Sequence, residues 1–245
     1  MLVHSMPDLF WWQWALGALC AANVGMAKTG MPGMGVMVVP LMVLTVGDAR
    51  LSAGWLLPIL CAADVLAIWY WRRHAAAGRL FSLAPYVAVG MVGGALTLSL
   101  NEFVLRRLVG VIIALMLVAH LWRRFSRNEA PAHPLAYGIA AGYSTTVANA
   151  AGPVMNLYLL SQKLAKEEFV ATGAWFFFFV NLAKVPIYAY HGLFSRTSLI
   201  FGAMMIPAIV AGAALGRVLL HRISPKVFEN TIIVLTVIST FLLFK

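Results

Sequence analysis

"GMAKTGMPGMGVMVVP" (residues 25–40) interrupts a chain that otherwise reads as membrane helix. It brings together Gly30, Gly33, Gly35, Pro32 and the charged Lys28, residues that a lipid-facing helix has no use for. Around it, 62% of the 245 residues are hydrophobic and only 11% are charged, far from the balance of a soluble domain. Several apolar runs approach or exceed the ~20 residues that cross a bilayer as helix. The runs are continuous, without the period-two alternation of a barrel strand. The sequence therefore predicts an all-α, polytopic integral membrane protein.

Enzyme chemistry finds no foothold. There is no GxSxG, Walker loop, GxGxxG or HExxH, so no cofactor and no metal are expected. Cys20 and Cys61 read as small packing residues inside apolar runs. The net charge of +10 collects in short loops: Arg72, Arg73 and Arg79; Arg123, Arg124 and Arg127; Arg217, Arg222 and Lys226. Such loops signal topology by the positive-inside rule and exclude a nucleic-acid surface. Residues 1–8 lack the basic start of a signal peptide, so the first run is expected to stay in the membrane.

Apolar segments fall near 9–27, 33–47, 50–71, 80–99 and 103–122, and again near 135–148, 152–163, 168–190, 197–220 and 227–244. A polar stretch, "RRFSRNEAPAHP" (123–134), separates the two sets. The expected organisation is a first membrane repeat (1–123), a cytoplasmic linker (124–134) and a second repeat (135–245) in one integral domain. Matching stretches support the duplication. "GMPGMGVMVVPLM" faces "ANAAGPVMNLYLL", aligning Gly33 with Gly152, and Asp64 then falls opposite Lys184. "GGALTLSL" (93–100) faces "GAALGRVL" (212–219), and "FVLRRLVGVIIALMLV" faces "KVFENTIIVLTVI".

Placing the basic loops in the cytoplasm puts both termini outside and gives the halves opposite orientation, with Arg106 and Arg107 on the outer face. Inverted repeats with paired breaks are a hallmark of secondary transporters, whose sites lie near the midplane. Non-helical backbone at that depth is tolerated only where it is buried or lines a wet cavity. Pro32 and Pro153 suit the first turn of a following half-helix. The N–H groups freed there favour an anion.

Two stretches carry a resemblance to a known family. "TTVANAAGPVMNLYLLSQKLAKEEFVATGAWFFFFVNLAKVPIY" (145–188) resembles the signature half of the TauE/SafE family of sulfite and organosulfonate exporters. "GMAKTGMPGMGVMVVPLM" resembles that family's first glycine-rich segment. The resemblance implies a multi-pass transporter in the plasma (inner) membrane, moving small sulfur-containing or carboxylate anions. An importer of the same anions is the alternative, with an integral membrane enzyme behind it. The bilayer and the anion are the expected partners, and a homo-oligomer is compatible with the sequence.

Charges inside membrane segments are costly and mark function. Lys28 beside the first break is expected to bind substrate, with Gly30 and Gly33 allowing close backbone approach. Thr145, Thr146 and Asn149 stand before the second break as candidate donors, with Gly152 as its glycine. Asn181 and Lys184 share a helix face and complete the binding set. Asp64 is the candidate coupling carboxylate, or the structural partner of Lys184. The aromatic run Trp175–Phe179 receives no role. Trp11, Trp12 and Trp14 read as interfacial anchors. Outward movement of an anion would gain ~2.3 kcal/mol per charge per 100 mV of inside-negative potential.

Overall fold

The computed structural model describes residues 7, 9–97, 101–126 and 132–243, and among them all regular structure is helical. Helices α1 (Trp11–Thr29), α2 (Val38–Val46), α3 (Ala49–Trp71), α4 (Ala77–Thr97) and α5 (Glu102–Phe125) follow the first set of apolar segments. The second set yields α6 (Pro134–Ala148), α7 (Ala151–Ser161), α8 (Lys166–Tyr190), α9 (Arg196–Met204), α10 (Ile206–Arg222) and α11 (Pro225–Leu243). Arg127 and the side chains of Arg79 and Arg106 lie outside the described residues.

Among the described residues, five helices are long and apolar enough to cross a membrane: α3, α4, α5, α8 and α11. The chain is a multi-pass membrane protein. Some of its helices start at a side-chain cap. The Asp48 carboxylate accepts from the Leu51 N–H at 2.7 Å, and the Asn101 side chain accepts from the Phe103 N–H at 2.8 Å. Each satisfies a donor that the first turn leaves open. Helix α7 has 11 residues, about 16 Å at 1.5 Å per residue, well short of a ~30 Å hydrocarbon core.

Two differences from the sequence reading stand out. The 197–220 segment is not one helix: α9 and α10 meet at Met205 with a bend of 45°. Pro207 sits in the first turn of α10, where its missing N–H costs nothing, and this makes the restart favourable. The first break also differs from its expected form. Pro32 lies in a turn rather than in a helical first turn, and a 3-10 turn over Met34–Met37 precedes α2. Gly33 takes φ 102° there, a conformation only glycine adopts without strain.

The chain forms two compact units. The first comprises residues up to Arg73 together with Ala174–Ile223. Its core gathers Cys20, Val24, Met42, Leu56, Ile59 and Ile209 around Phe201, whose ring packs on Trp14 at 5.4 Å and Trp55 at 5.0 Å. Trp14 thus packs on the core, whereas Trp11 is 82% exposed. The second unit comprises His74–Gly173 and the chain from Ser224 onward. Within it α5 packs on α11, and Phe169 meets Phe228 edge-on at 5.2 Å.

Each unit contains one helix pair packed backbone to backbone. In the first, α1 lies on α10. A Cβ at Gly25 would enter the Ile209 carbonyl, one at Gly212 the Ala22 carbonyl, and one at Gly30 the backbone of Gly216. In the second, α4 lies on α6, with Gly90 against Ile139 and Gly142 against Val87. Lipid tails are as apolar as leucine, so helices in a bilayer associate through close packing of small residues. Gly212 and Gly216 supply that spacing on α10. Gly212→Val is expected to lower the thermal stability of the detergent-purified protein by about 1–3 kcal/mol or more, as overpacking does. Gly78→Ala, at an exposed position with open space around it, should leave the melting temperature unchanged or slightly raised.

Candidate functional site: a buried charge cluster in the first unit

Helix α1 ends at the break that opened the sequence reading, and Lys28 stands in its last turn. A cation there complements the negative end of the helix dipole. The end is held firmly. The Thr29 hydroxyl lies between the carbonyls of Gly25 and Ala213 at 3.0 and 2.7 Å, and the Trp71 indole donates to the Thr29 carbonyl at 2.9 Å. With Gly30 seated on Gly216, the backbone on either side of Lys28 is positioned by packing rather than by the membrane.

The Lys28 ammonium reaches the Asp64 carboxylate of α3, with Nζ 2.7 Å from Oδ1. The other carboxylate oxygen, Oδ2, accepts from the Asn181 amide of α8 at 2.6 Å. Lys28 also lies over the Phe177 ring, 3.9 Å from its centroid. Lys184 is 1% exposed and within electrostatic reach of both Lys28 and Asp64. Asp64 is 0% exposed and the Lys28 side chain 11%, so water contributes little screening. Two lysines and one carboxylate share this interior.

Asp64 is ion-paired with Lys28, from the helix end beside the break, and lies within electrostatic reach of Lys184, the residue opposite it in the repeat alignment. Phe177 was passed over in the sequence. The available signal was spacing: Phe177, Asn181 and Lys184 stand at i, i+4 and i+7 and so line one face of α8.

The other candidates sit differently. Gly30 serves helix packing against Gly216. The N–H groups of Met34 and Val36 bond to the carbonyls of Met31 and Gly33, so the 3-10 turn uses donors that a bare helix start would offer an anion. Thr145, Thr146, Asn149 and Gly152 belong to the second unit. The Thr146 hydroxyl donates back to the Gly142 carbonyl at 2.9 Å, a helical bond that uses its only proton. Thr145 is buried, and its carbonyl accepts from the Asn149 N–H at 3.1 Å. Asn149 ends α6 in the left-handed region at φ 52°, a role asparagine fills more readily than most side chains. Nothing lies within 4 Å of the Cβ position of Gly152, so open space adjoins its backbone.

With the geometry in place, comparison with known proteins decides the lineage. The chain matches the family described as Sulfite exporter TauE/SafE over residues 15–243. It belongs to that family. No curated protein and no solved structure matches the chain. The TauE/SafE match covers both breaks and the whole charge cluster, so the lysines and the carboxylate are part of the family-related body of the protein.

The buried pair has a measurable consequence. Lys28→Gln strands a carboxylate, and Asp64→Asn strands an ammonium. Each is expected to cost on the order of 3–5 kcal/mol. The double variant Lys28→Gln/Asp64→Asn should lose less than the sum of the singles in thermal or denaturant unfolding. Strictly additive losses would show that the contact contributes nothing of its own.

Proposed function

We propose that this TauE/SafE protein exports a small sulfur oxyanion, sulfite or an organosulfonate, across the plasma membrane. The cluster of Lys28, Asn181 and Lys184 would bind the anion, and Asp64 would govern access to it. The observation that carries this reading is the gathering of Lys28, Lys184 and the Asn181 amide around one buried carboxylate inside a membrane protein. Charged side chains inside a membrane are costly and mark function, and cationic and amide donors gathered at one point suit an anion. Lys28 and the Asn181 amide offer donors to oxygens of a sulfonate, and charge-assisted hydrogen bonds are the stronger kind. The Phe177 ring keeps the ammonium attracted to one place when the carboxylate lets go.

In this reading the break at 30–33 ends α1 where Lys28 meets α3 and α8. The left-handed turn at Gly33 lets the chain reverse directly afterwards. Family membership supports the sulfur-anion class and the outward direction. Movement of the same anions inward would use the same residues.

The test is anion affinity of purified protein toward sulfite and methanesulfonate, with chloride as reference. Because Lys28→Gln alone strands Asp64, the informative comparison is between Asp64→Asn and the double variant Lys28→Gln/Asp64→Asn. Loss of Lys28 in that background is expected to weaken sulfonate binding about tenfold or more, the value of one charge-assisted hydrogen bond. Equal affinity in the two variants would remove Lys28 from the site.

A further inference from the structure

The donors assigned to the substrate are already occupied by the protein's own carboxylate. Oδ1 of Asp64 takes Lys28 and Oδ2 takes Asn181. A carboxylate and a sulfonate present the same thing to these donors, namely anionic oxygens at hydrogen-bond distance. They compete for one place. We propose that Asp64 is an internal anion that the substrate displaces, and that each substrate anion bound draws one proton from water onto Asp64, so that anion and proton are carried together. This rests on the anion site proposed above and adds a second ligand to it.

In the empty protein the charge of Asp64 is held by Lys28 from α1 and lies within reach of Lys184 from α8. Its own helix adds the Cys61 thiol one turn earlier. Helix α2 carries no titratable residue, and α9 carries only Arg196, at its first position. Helix α10 brings Arg217 over Tyr70 and His221 against Trp71, about two turns further along α3. The cations facing Asp64 are thus Lys28 and Lys184, and both are what an entering anion would engage.

Once the anion takes Lys28, the carboxylate has lost its partner and gained a like charge beside it. Both effects favour the protonated acid. The step balances simply. The Lys28–Asp64 ion pair opens, the substrate anion pairs with the ammonium, and a proton from the aqueous phase converts the carboxylate to a carboxylic acid. The acid keeps an acceptor oxygen for the Asn181 amide. Loading a monosulfonate then leaves the net charge of the protein unchanged, because one negative and one positive charge enter together. A dianion loads with one negative charge in excess. The potential-driven advantage expected from the sequence for any anion therefore vanishes for a monosulfonate, whose net direction follows the combined anion and proton gradients.

Methanesulfonate is the suitable probe, because it stays ionised throughout the working pH range and any proton taken up belongs to the protein. In weakly buffered solution with a pH indicator, the parent protein should take up about one proton per methanesulfonate bound when Asp64 starts ionised. Its affinity should rise by up to about tenfold per unit fall in pH over that range. Asp64→Asn should bind without proton uptake, with pH-independent affinity, and more tightly than the parent at alkaline pH. In proteoliposomes under a potassium diffusion potential, methanesulfonate flux should ignore the potential in the parent and follow it in Asp64→Asn. Binding by the parent with no proton uptake and no pH dependence would overturn the proposal, even if Asp64→Asn fails to fold. That outcome leaves the anion site standing. Failure of the site itself appears separately, as equal affinity of Asp64→Asn with and without Lys28.

Discussion

The contact between Lys28 and Asp64 is the constraint around which the first unit is arranged. An ammonium and a carboxylate 2.7 Å apart, one fully buried and the other nearly so, are stable only while both stay in register. Register is supplied from several directions. Trp71 and Ala213 hold the end of α1, Gly30 rests on Gly216, and Asn181 holds the second oxygen of Asp64. The glycines and the proline after Lys28 are then intelligible. They end the helix immediately beyond the charge and turn the chain away, which a continuous helix could not do.

Close packing and charge placement are linked in this protein. Helix α1 approaches α10 to backbone contact because Gly25, Gly30, Gly212 and Gly216 lack side chains. That approach sets the depth of Lys28 relative to α3 and α8. Substitution of a packing glycine should therefore disturb the charge cluster as well as stability, although none of these glycines meets a substrate. The same device on α4 and α6 gives the second unit an equally close helix pair around Gly90, Gly94, Gly138 and Gly142. Thr146, which touches the Gly94 position, is part of that packing and also closes a bond within its own helix.

Much of this was legible in the sequence, and the reasons are physical. Hydropathy located the apolar segments because the bilayer imposes a length and a composition on every span. The rarity of charge in such segments singled out Lys28, Asp64 and Lys184, and all three are found largely or wholly buried in one unit. What the sequence did not disclose was the pairing among them. Alignment of the two halves suggested Asp64 with Lys184, but a contact depends on which helices cross and at what depth, and the end of α1 brings Lys28 to the same carboxylate. Phe177 was hidden inside an aromatic run whose members look alike until the α8 face is known. The bend at Met205 was hidden because Pro207 can sit in a first turn as readily as in a kink. The family resemblance in residues 145–188 and 25–42 was specific enough to identify the lineage, yet it does not name the anion.

The central claim is that Lys28 exchanges its own carboxylate for a substrate anion. The most direct measurement is an experimental structure with 2-bromoethanesulfonate, locating the bromine by its anomalous scattering. The account predicts a sulfonate oxygen at hydrogen-bond distance from Lys28 Nζ, with the Lys28–Asp64 contact opened and Phe177 still beneath the ammonium. A sulfonate bound elsewhere while Lys28 and Asp64 remain paired would contradict it.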